Sequence, residues 1–264
     1  MADSRPSGQV SYLNTGRVVI VTGGCSGIGR AICETFQKSG ARAVVCADVD
    51  DRAAQELPEG IVFRHCDTSR EADCRETVGW TIGEFGGIDV LVNNAAIQPK
   101  ESYVPLHELS PEVWQRLVDV NFSGYTWMAM SVLKQMKRQQ SGVVVNIASG
   151  QGHRTAREVG TYGPIKAGNL MQARQWAVEY ARDGIRVVSV SPGAIDTPLV
   201  RASLQQQGGA DAIANRHPVG RIGQPEEVAN AVLWLSSSHA SFITGTDLEV
   251  DGGLGAFAAF AEPY

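Results

Sequence analysis

Short apolar runs alternate along this chain with longer stretches in which apolar residues recur every three to four positions. The runs are Arg17 to Thr22 (RVVIVT), Ala43 to Ala47, Ile61 to Cys66, Ile88 to Val92, Gly142 to Ile147, Ile185 to Val190 and Thr246 to Val250. They read as strands. Helical spacing appears over Gly27 to Ser39, through Ile28, Ala31, Ile32, Thr35 and Phe36, with Gly40 closing the element. It returns over Arg70 to Phe85 and over Pro111 to Arg138, where Ser110 is the expected N-cap and Pro111 takes the first position. Two more helices are expected, one from about Thr155 through Arg182 and one over Glu226 to Ser236.

The strands are apolar throughout rather than alternating, which is the pattern of parallel strands covered on both faces. Strand and helix alternation with short loops predicts an α/β fold, a doubly wound parallel sheet with helices on both faces. No repeat, low-complexity tract or linker divides the chain. Residues 1–16 read as a polar extension and 17–264 as a single domain. In such folds ligands bind beyond the carboxyl ends of the strands, so the residues after each apolar run are where chemistry is expected.

Composition narrows the classes. A length of 264 residues with 43% apolar and 19% charged residues excludes intrinsic disorder. The net charge is −5, the isoelectric point is near 5.6, and no basic stretch occurs, so no nucleic-acid partner is expected. Apolar runs such as Val18 to Val21 and Val143 to Val145 are far too short to span a bilayer, and Met1 to Gly16 holds no apolar signal core. The expectation is a cytoplasmic protein without a membrane partner. The five cysteines lie between Cys25 and Cys74 without a C-x-x-C spacing, so no metal is expected. Cys33, Cys46 and Cys66 read as buried small hydrophobes. Cys25 sits in a glycine-rich turn, where a reactive thiol is the alternative.

That turn, Thr22-Gly23-Gly24-Cys25-Ser26-Gly27-Ile28-Gly29, follows the first strand. Glycines let a pyrophosphate approach main-chain N–H groups, and the helix opening near Gly27 aims its positive end at the charge. Gly23, Ser26, Gly27, Ile28 and Gly29 are therefore candidate phosphate contacts. The second strand ends at Asp48, 19 residues past Gly29, near the usual offset for a carboxylate on the adenosine ribose. With Val49 beside it, Asp48 would bind the ribose hydroxyls and repel a 2′-phosphate. No cation occupies Cys25, Ser26 or Val49, so the electrostatics favour NAD over NADP. Asp67 and Thr68 follow the third strand and can reach the adenine edge, and Asn94 and Ala95 follow the fourth.

The fifth strand ends in Ser149, and thirteen residues on comes Tyr162-Gly163-Pro164-Ile165-Lys166. Positions four apart share a helix face, so phenol and ammonium converge. A phenol titrates near 10 in water, too high for proton exchange at neutral pH. A lysine cation and the positive nicotinamide are expected to lower that value. Tyr162 would then take an alcohol proton, Ser149 would hold the substrate oxygen, and Lys166 would also fix the nicotinamide ribose.

With these residues in view, the chain resembles single-domain members of the short-chain dehydrogenase/reductase superfamily, from Arg17 to Gly253. The resemblance rests on the glycine-rich turn, Asp67, Asn93 to Ala96, Asn121, Ser149, the Tyr162/Lys166 pair, Ser191 to Thr197 and Val250 to Gly253. It implies a Rossmann-type fold and a tetrad in which Asn121 holds a water that relays protons from Lys166. It implies that Ile195, through its backbone, and Thr197 contact the nicotinamide carboxamide. It also implies a homotetramer in which the helices of Pro111 to Arg138 and Thr155 to Arg182 pair between subunits. Trp127, Met128, Met130, Met171 and Trp176 are candidate contacts there, and Gly255 to Tyr264 would join a second contact. Three departures stand out: Ala96 replaces a usual glycine, Gly163-Pro164 lies between tyrosine and lysine, and the basic residue that precedes Gly27 in NADP-dependent members is absent. Proline there requires Tyr162 to lie in the first turns of its helix.

Substrate selection is expected from Ile97 and Gln98, from Gln151 to Val159, and from a lid over about 197–218 that contains Gln205 to Gly209. Gln98, Gln151 and His153 are candidates to orient a polar substrate; Arg154 and Arg157 read as a solvated face. The expected activity is hydride transfer between NAD(H) and a secondary alcohol or ketone, cyclic ones included. The alternatives are an NADP(H)-dependent biosynthetic ketoreductase and a dinucleotide sensor without turnover.

Overall fold

A computed structural model describes residues 10–203 and 208–257. Seven strands form one sheet in the order β3-β2-β1-β4-β5-β6-β7, all pairs parallel. They are β1 (Val18–Thr22), β2 (Ala43–Asp48), β3 (Ile61–His65), β4 (Val90–Asn93), β5 (Gly142–Ile147), β6 (Ile185–Pro192) and β7 (Asp247–Val250). The helices are α1 (Gly27–Lys38), α2 (Glu71–Phe85), α3 (Pro111–Val118), α4 (Gly124–Gln139), α5 (Tyr162–Tyr180), α6 (Pro198–Ser203), α7 (Ala210–Ala214) and α8 (Pro225–Ser236).

The central strands are apolar because both faces are covered. Ile32 and Phe36 of α1 and Val228 and Val232 of α8 pack on one face. Val78 of α2, Met128, Val132 and Met136 of α4, and Ala173 and Ala177 of α5 pack on the other. The edge strands depart from the continuous apolar pattern. β3 ends in Arg64-His65 and β7 carries Asp247 and Glu249, since an edge strand is less covered and tolerates charge.

Two expectations need correction. The single helix over Pro111 to Arg138 is two: Ser110 caps α3 by accepting from Val113 N at 3.2 Å, but a π-helical turn over Asp119–Ser123 separates α3 from α4. The helix expected from Thr155 begins at Tyr162; only a short 3-10 turn, Gly150–Gly152, precedes it, and Glu158 adopts a left-handed φ of 62°. Part of the polar extension is docked. Asn14 is buried and donates to Ser39 Oγ at 2.8 Å, and Tyr12 packs edge-on against His239.

The chain turns left from β1 to β2 and β3, and right from β4 onward, so the ends of β1 and β4 diverge at a switch point. Thr22 stitches that point. Its hydroxyl accepts from Asn94 N at 2.9 Å and Ala95 N at 3.1 Å, while Asn94 Nδ2 donates to the Thr22 and Gly23 carbonyls. The cleft of the molecule opens beyond this point.

Candidate active site

A cleft of about 870 Å³ runs along the carboxyl ends of the strands. Sixteen of the sequence-derived candidates line it: Gly23, Ser26, Gly27, Ile28, Asp48, Val49, Asp67, Thr68, Asn94, Ala95, Ile97, Ser149, Tyr162, Lys166, Ile195 and Thr197. Three of the others lie elsewhere. Gly29 lies behind the turn, where a Cβ would strike the Gly23 carbonyl; its bareness lets α1 approach. Asn121 is fully buried behind the wall. Gln151 lines a neighbouring cavity of about 450 Å³ with Gly152 and Pro164.

One end of the cleft suits a dinucleotide. Gly23 and Gly27 hold φ of +64° and +51°, and a Cβ on Gly27 would come within 3.1 Å of Thr197 Cγ2. Ser26 caps α1 without a side-chain hydrogen bond, and no acidic residue sits in the first turn, so its N–H groups face the cleft uncommitted to any carboxylate. The Asp48 carboxylate is fixed by three main-chain donors: Cys25 N at 2.9 Å, Val49 N at 2.7 Å and Asp50 N at 3.1 Å. Among the described residues, the only cations lining the cleft are Arg116 and Lys166. Cys25 is buried against Cys46, Sγ to Sγ 3.5 Å, and burial pushes its thiol up, which opposes the reactive-thiol alternative.

The other end gathers Ser149, Tyr162 and Lys166. Tyr162 opens α5 and Pro164 is its third residue, where the missing N–H has no helical partner to lose. The first main-chain bond of the helix, Ile165 N to Thr161 O at 3.2 Å, is made just beyond. Lys166 follows one turn later, and its Nζ lies 5.7 Å from the Tyr162 ring centroid. Proline therefore leaves the pair on one face. The Ser149 hydroxyl accepts from Gln151 N at 3.1 Å and is a hydrogen-bond partner of the Tyr162 phenol.

The electrostatics depart from the simple expectation. Burial pushes the Tyr162 phenol up to about 12, with Tyr103 adding to the rise and the Ser149 hydroxyl opposing it. Burial brings the Lys166 ammonium down to about 7. Lys166 does not lower the phenol. Its Nζ donates instead to the Ile147 carbonyl at 2.8 Å and to Tyr125 Oη at 3.2 Å.

Asn121 closes the site from below. Its side chain accepts from Ile97 N and donates to Ile97 O, both at 2.8 Å, which pins the loop after β4. Its carbonyl, within the π turn, accepts from Asn169 Nδ2 at 3.1 Å. Asn93 donates to Asn146 Oδ1 at 3.0 Å, and Asn146 to the Asn169 carbonyl at 3.4 Å. The sequence reading missed Tyr125, Asn146, Asn169 and the clamp at Thr22. Only Tyr125 had a signal: it lies one helical turn after Asn121.

Of the other substrate candidates, Gln98 has a buried Nε2 without a partner among the described residues, whereas His153 is already engaged. His153 Nε2 is 2.8 Å from Asp247 Oδ2, and Arg154 pairs with Glu249 at 3.1 Å. Of the lid, Pro198, Leu199 and Val200 line the cleft, while Gln205 to Gln207 lie outside the described residues. His217 anchors the lid's end, accepting from Ala194 N at 3.1 Å and donating through Nδ1 to Ile213 O at 2.9 Å.

Fold and cleft together define a doubly wound, Rossmann-type α/β domain with its cleft at the switch point of the sheet. The sequence pattern of the enoyl-(acyl carrier protein) reductase family matches residues 23–255. A 2,5-dichloro-2,5-cyclohexadiene-1,4-diol dehydrogenase of Sphingobium indicum is 37% identical over 245 residues, covering 90% of this chain and 97% of its own. The cis-4-hydroxycyclohexanecarboxylate dehydrogenase of Sinomonas cyclohexanicum is 40% identical over 244 residues, covering 90% and 96%. Among solved structures, the 3-ketoacyl-(acyl-carrier-protein) reductase of Brucella melitensis, complexed with NADH, superposes with a TM-score of 0.84 at 32% identity, covering 91% of this chain and 99% of that one. The chain belongs to the short-chain dehydrogenase/reductase superfamily and is an oxidoreductase acting on CH–OH groups. Its cofactor class is NAD(P)(H). No helix among the described residues is long and apolar enough to cross a membrane.

Proposed function

We propose that the chain is an NAD(H)-dependent dehydrogenase interconverting a secondary alcohol on a ring and its ketone, with Ser149, Tyr162, Lys166 and Asn121 as its working set. The observation that carries this reading is the gathering of Ser149, Tyr162 and Lys166 in the cleft that Asp48 also lines. The turn residues Gly23, Ser26, Gly27 and Ile28 would hold the pyrophosphate. Asp48 and Val49 would take the adenosine ribose, Asp67 and Thr68 the adenine, and Asn94, Ala95, Ile195 and Thr197 the remainder. When bound, the cofactor supplies the hydride acceptor or donor and, oxidised, a positive charge.

The chain's own residues handle the proton. At neutral pH the Tyr162 phenol is protonated and serves ketone reduction as the acid; alcohol oxidation draws on the deprotonated form, whose phenolate oxygen takes the hydroxyl proton. Ser149 orients the substrate oxygen by a hydrogen bond, and Asn121 holds the Ile97 loop beside it. NAD is favoured by the fixed Asp48 carboxylate and by the uncharged Cys25, Ser26 and Val49 around it. Ring substrates are favoured by the two relatives named for ring alcohols.

A homotetramer is part of this reading, in line with the resemblance. Met130, Met171 and Val178 are about half exposed or more on α4 and α5, whereas Met128, a sequence candidate for the contact, is core. Light scattering that gave a monomer would remove that part. The main test is turnover of cyclic secondary alcohols with NAD and with NADP, followed at the nicotinamide absorbance. Activity with NAD that Tyr162→Phe abolishes is expected; a Tyr162→Phe variant as active as the parent would overturn the reading.

A further inference from the structure

The ammonium of Lys166 is buried to 1% exposure without a carboxylate facing it among the described residues. A buried cation needs other company. Two oxygens and two rings provide it. Nζ donates to the Ile147 carbonyl at 2.8 Å and to Tyr125 Oη at 3.2 Å, and lies 5.1 Å from the Tyr125 ring centroid and 5.7 Å from that of Tyr162. Tyr125 Oη in turn donates to the same Ile147 carbonyl at 2.9 Å, so phenol, carbonyl and ammonium close a triangle. Tyr125 is 1% exposed and has no route to solvent or to the cleft lining.

The groups around Nζ are few. α4 contributes Tyr125, and α5 contributes Tyr162. β5 contributes the Ile147 carbonyl, with the Ser149 hydroxyl beyond it on Tyr162. Tyr103, from the loop before α3, faces Tyr162 rather than Lys166. The amide of Asn121, in the π turn, is committed to Ile97. An ammonium has three donors, and the triangle takes two of them, which fixes the direction of the third.

We propose that Tyr125 is a positioning residue for Lys166: its phenol oxygen, with the Ile147 carbonyl, keeps the ammonium charged and aimed in the absence of a counter-ion. This rests on the reading of Lys166 as part of the working set. Tyr125 touches neither substrate nor cofactor and acts through the lysine alone.

Tyr125→Phe tests it, because the ring stays in the core and only the oxygen goes. The readout is the titration of Lys166 in the cofactor-free protein, followed by NMR of ¹³Cε-labelled lysine and assigned with Lys166→Arg. Losing one acceptor disfavours the charged form, so the Lys166 midpoint is expected to fall by about one to two pH units, the scale of one hydrogen bond to a charged group. Tyr125→Gln, which restores an acceptor oxygen, should recover part of the shift. An unmoved Lys166 midpoint in Tyr125→Phe overturns the proposal. Should the variant fail to fold, the unaltered chain still decides: a nuclear Overhauser contact between the Lys166 Cε protons and the Tyr125 ring supports the triangle, and its absence refutes it. A shifted midpoint in a protein that turns over no alcohol would leave the positioning role standing while the dehydrogenase reading fell.

Discussion

Replacing Asp48 by asparagine should erase the preference between the two dinucleotides. The carboxylate is held by three main-chain donors, from Cys25, Val49 and Asp50, so its place in the cleft does not depend on a bound molecule. Asparagine keeps the shape but offers one acceptor oxygen and no charge. A hydrogen bond to a charged group contributes about 1.5–3 kcal/mol, so NAD should bind about 10- to 150-fold more weakly. For NADP the same change removes a repulsion. A pair of like unit charges at about 4 Å costs about 1 kcal/mol in water and about 4 kcal/mol near a protein surface. That relief offsets the lost hydrogen bond, so NADP affinity should hold or rise. Calorimetric titration with both dinucleotides, at one fixed ionic strength because exposed charges are screened, measures the ratio. Equal losses for NAD and NADP, or no loss for either, would refute the argument.

Other expectations follow from the same contacts. Tyr162→Phe should lower turnover about 10²- to 10⁴-fold while NAD binding, measured by calorimetry, stays within a few-fold. Because burial holds Tyr162 at about 12, alcohol oxidation should accelerate as pH rises toward that value, and a rate profile flat from neutral to strongly alkaline pH would contradict it. Lys166→Met should raise the melting temperature while abolishing turnover. The folded value of about 7 lies below the unfolded one, so the cost of the buried ammonium is fully present at acid pH and fades as pH rises through and beyond 7. A variant that melts lower than the parent at pH 6 would show that the ammonium's hydrogen bonds outweigh its burial. Asn121→Ala leaves the N–H and C=O of Ile97 without their side-chain partner and should destabilise the fold by about 1–3 kcal/mol, read from urea titration.

Much of this molecule is legible in the sequence, for specific reasons. Parallel strands covered on both faces leave no alternation, so RVVIVT and GVVVNI announce themselves; β3 and β7, at the sheet edges, are the weaker signals. The glycine turn and Asp48 are legible because the backbone geometry they need excludes most other residues. Tyr162 and Lys166 are legible because four-residue spacing is a statement about a helix face. The contacts of Lys166 are not. Its partners come from α4 and β5, and no local pattern shows that a tyrosine 41 residues earlier will lie beneath it. Gln151 fails for the opposite reason. Proximity in sequence to Ser149 suggests the cleft, but the 3-10 turn after Ser149 carries it to the adjoining cavity.

The π turn between α3 and α4 has a bearing on how this chain could diverge. One residue of a regular helix advances the azimuth by about 100°. A π turn holds one residue more than a regular turn, so deleting a single position between Asp119 and Ser123 would close it to a regular turn and leave Met128, Val132 and Met136 facing the sheet, whereas a deletion early in α4 itself would swing them a quarter-turn or more away. The irregularity therefore behaves as slack gathered in one place: a single-residue change in length can be absorbed there without unpacking α4, and what it would cost is the grip of Asn121 on Ile97.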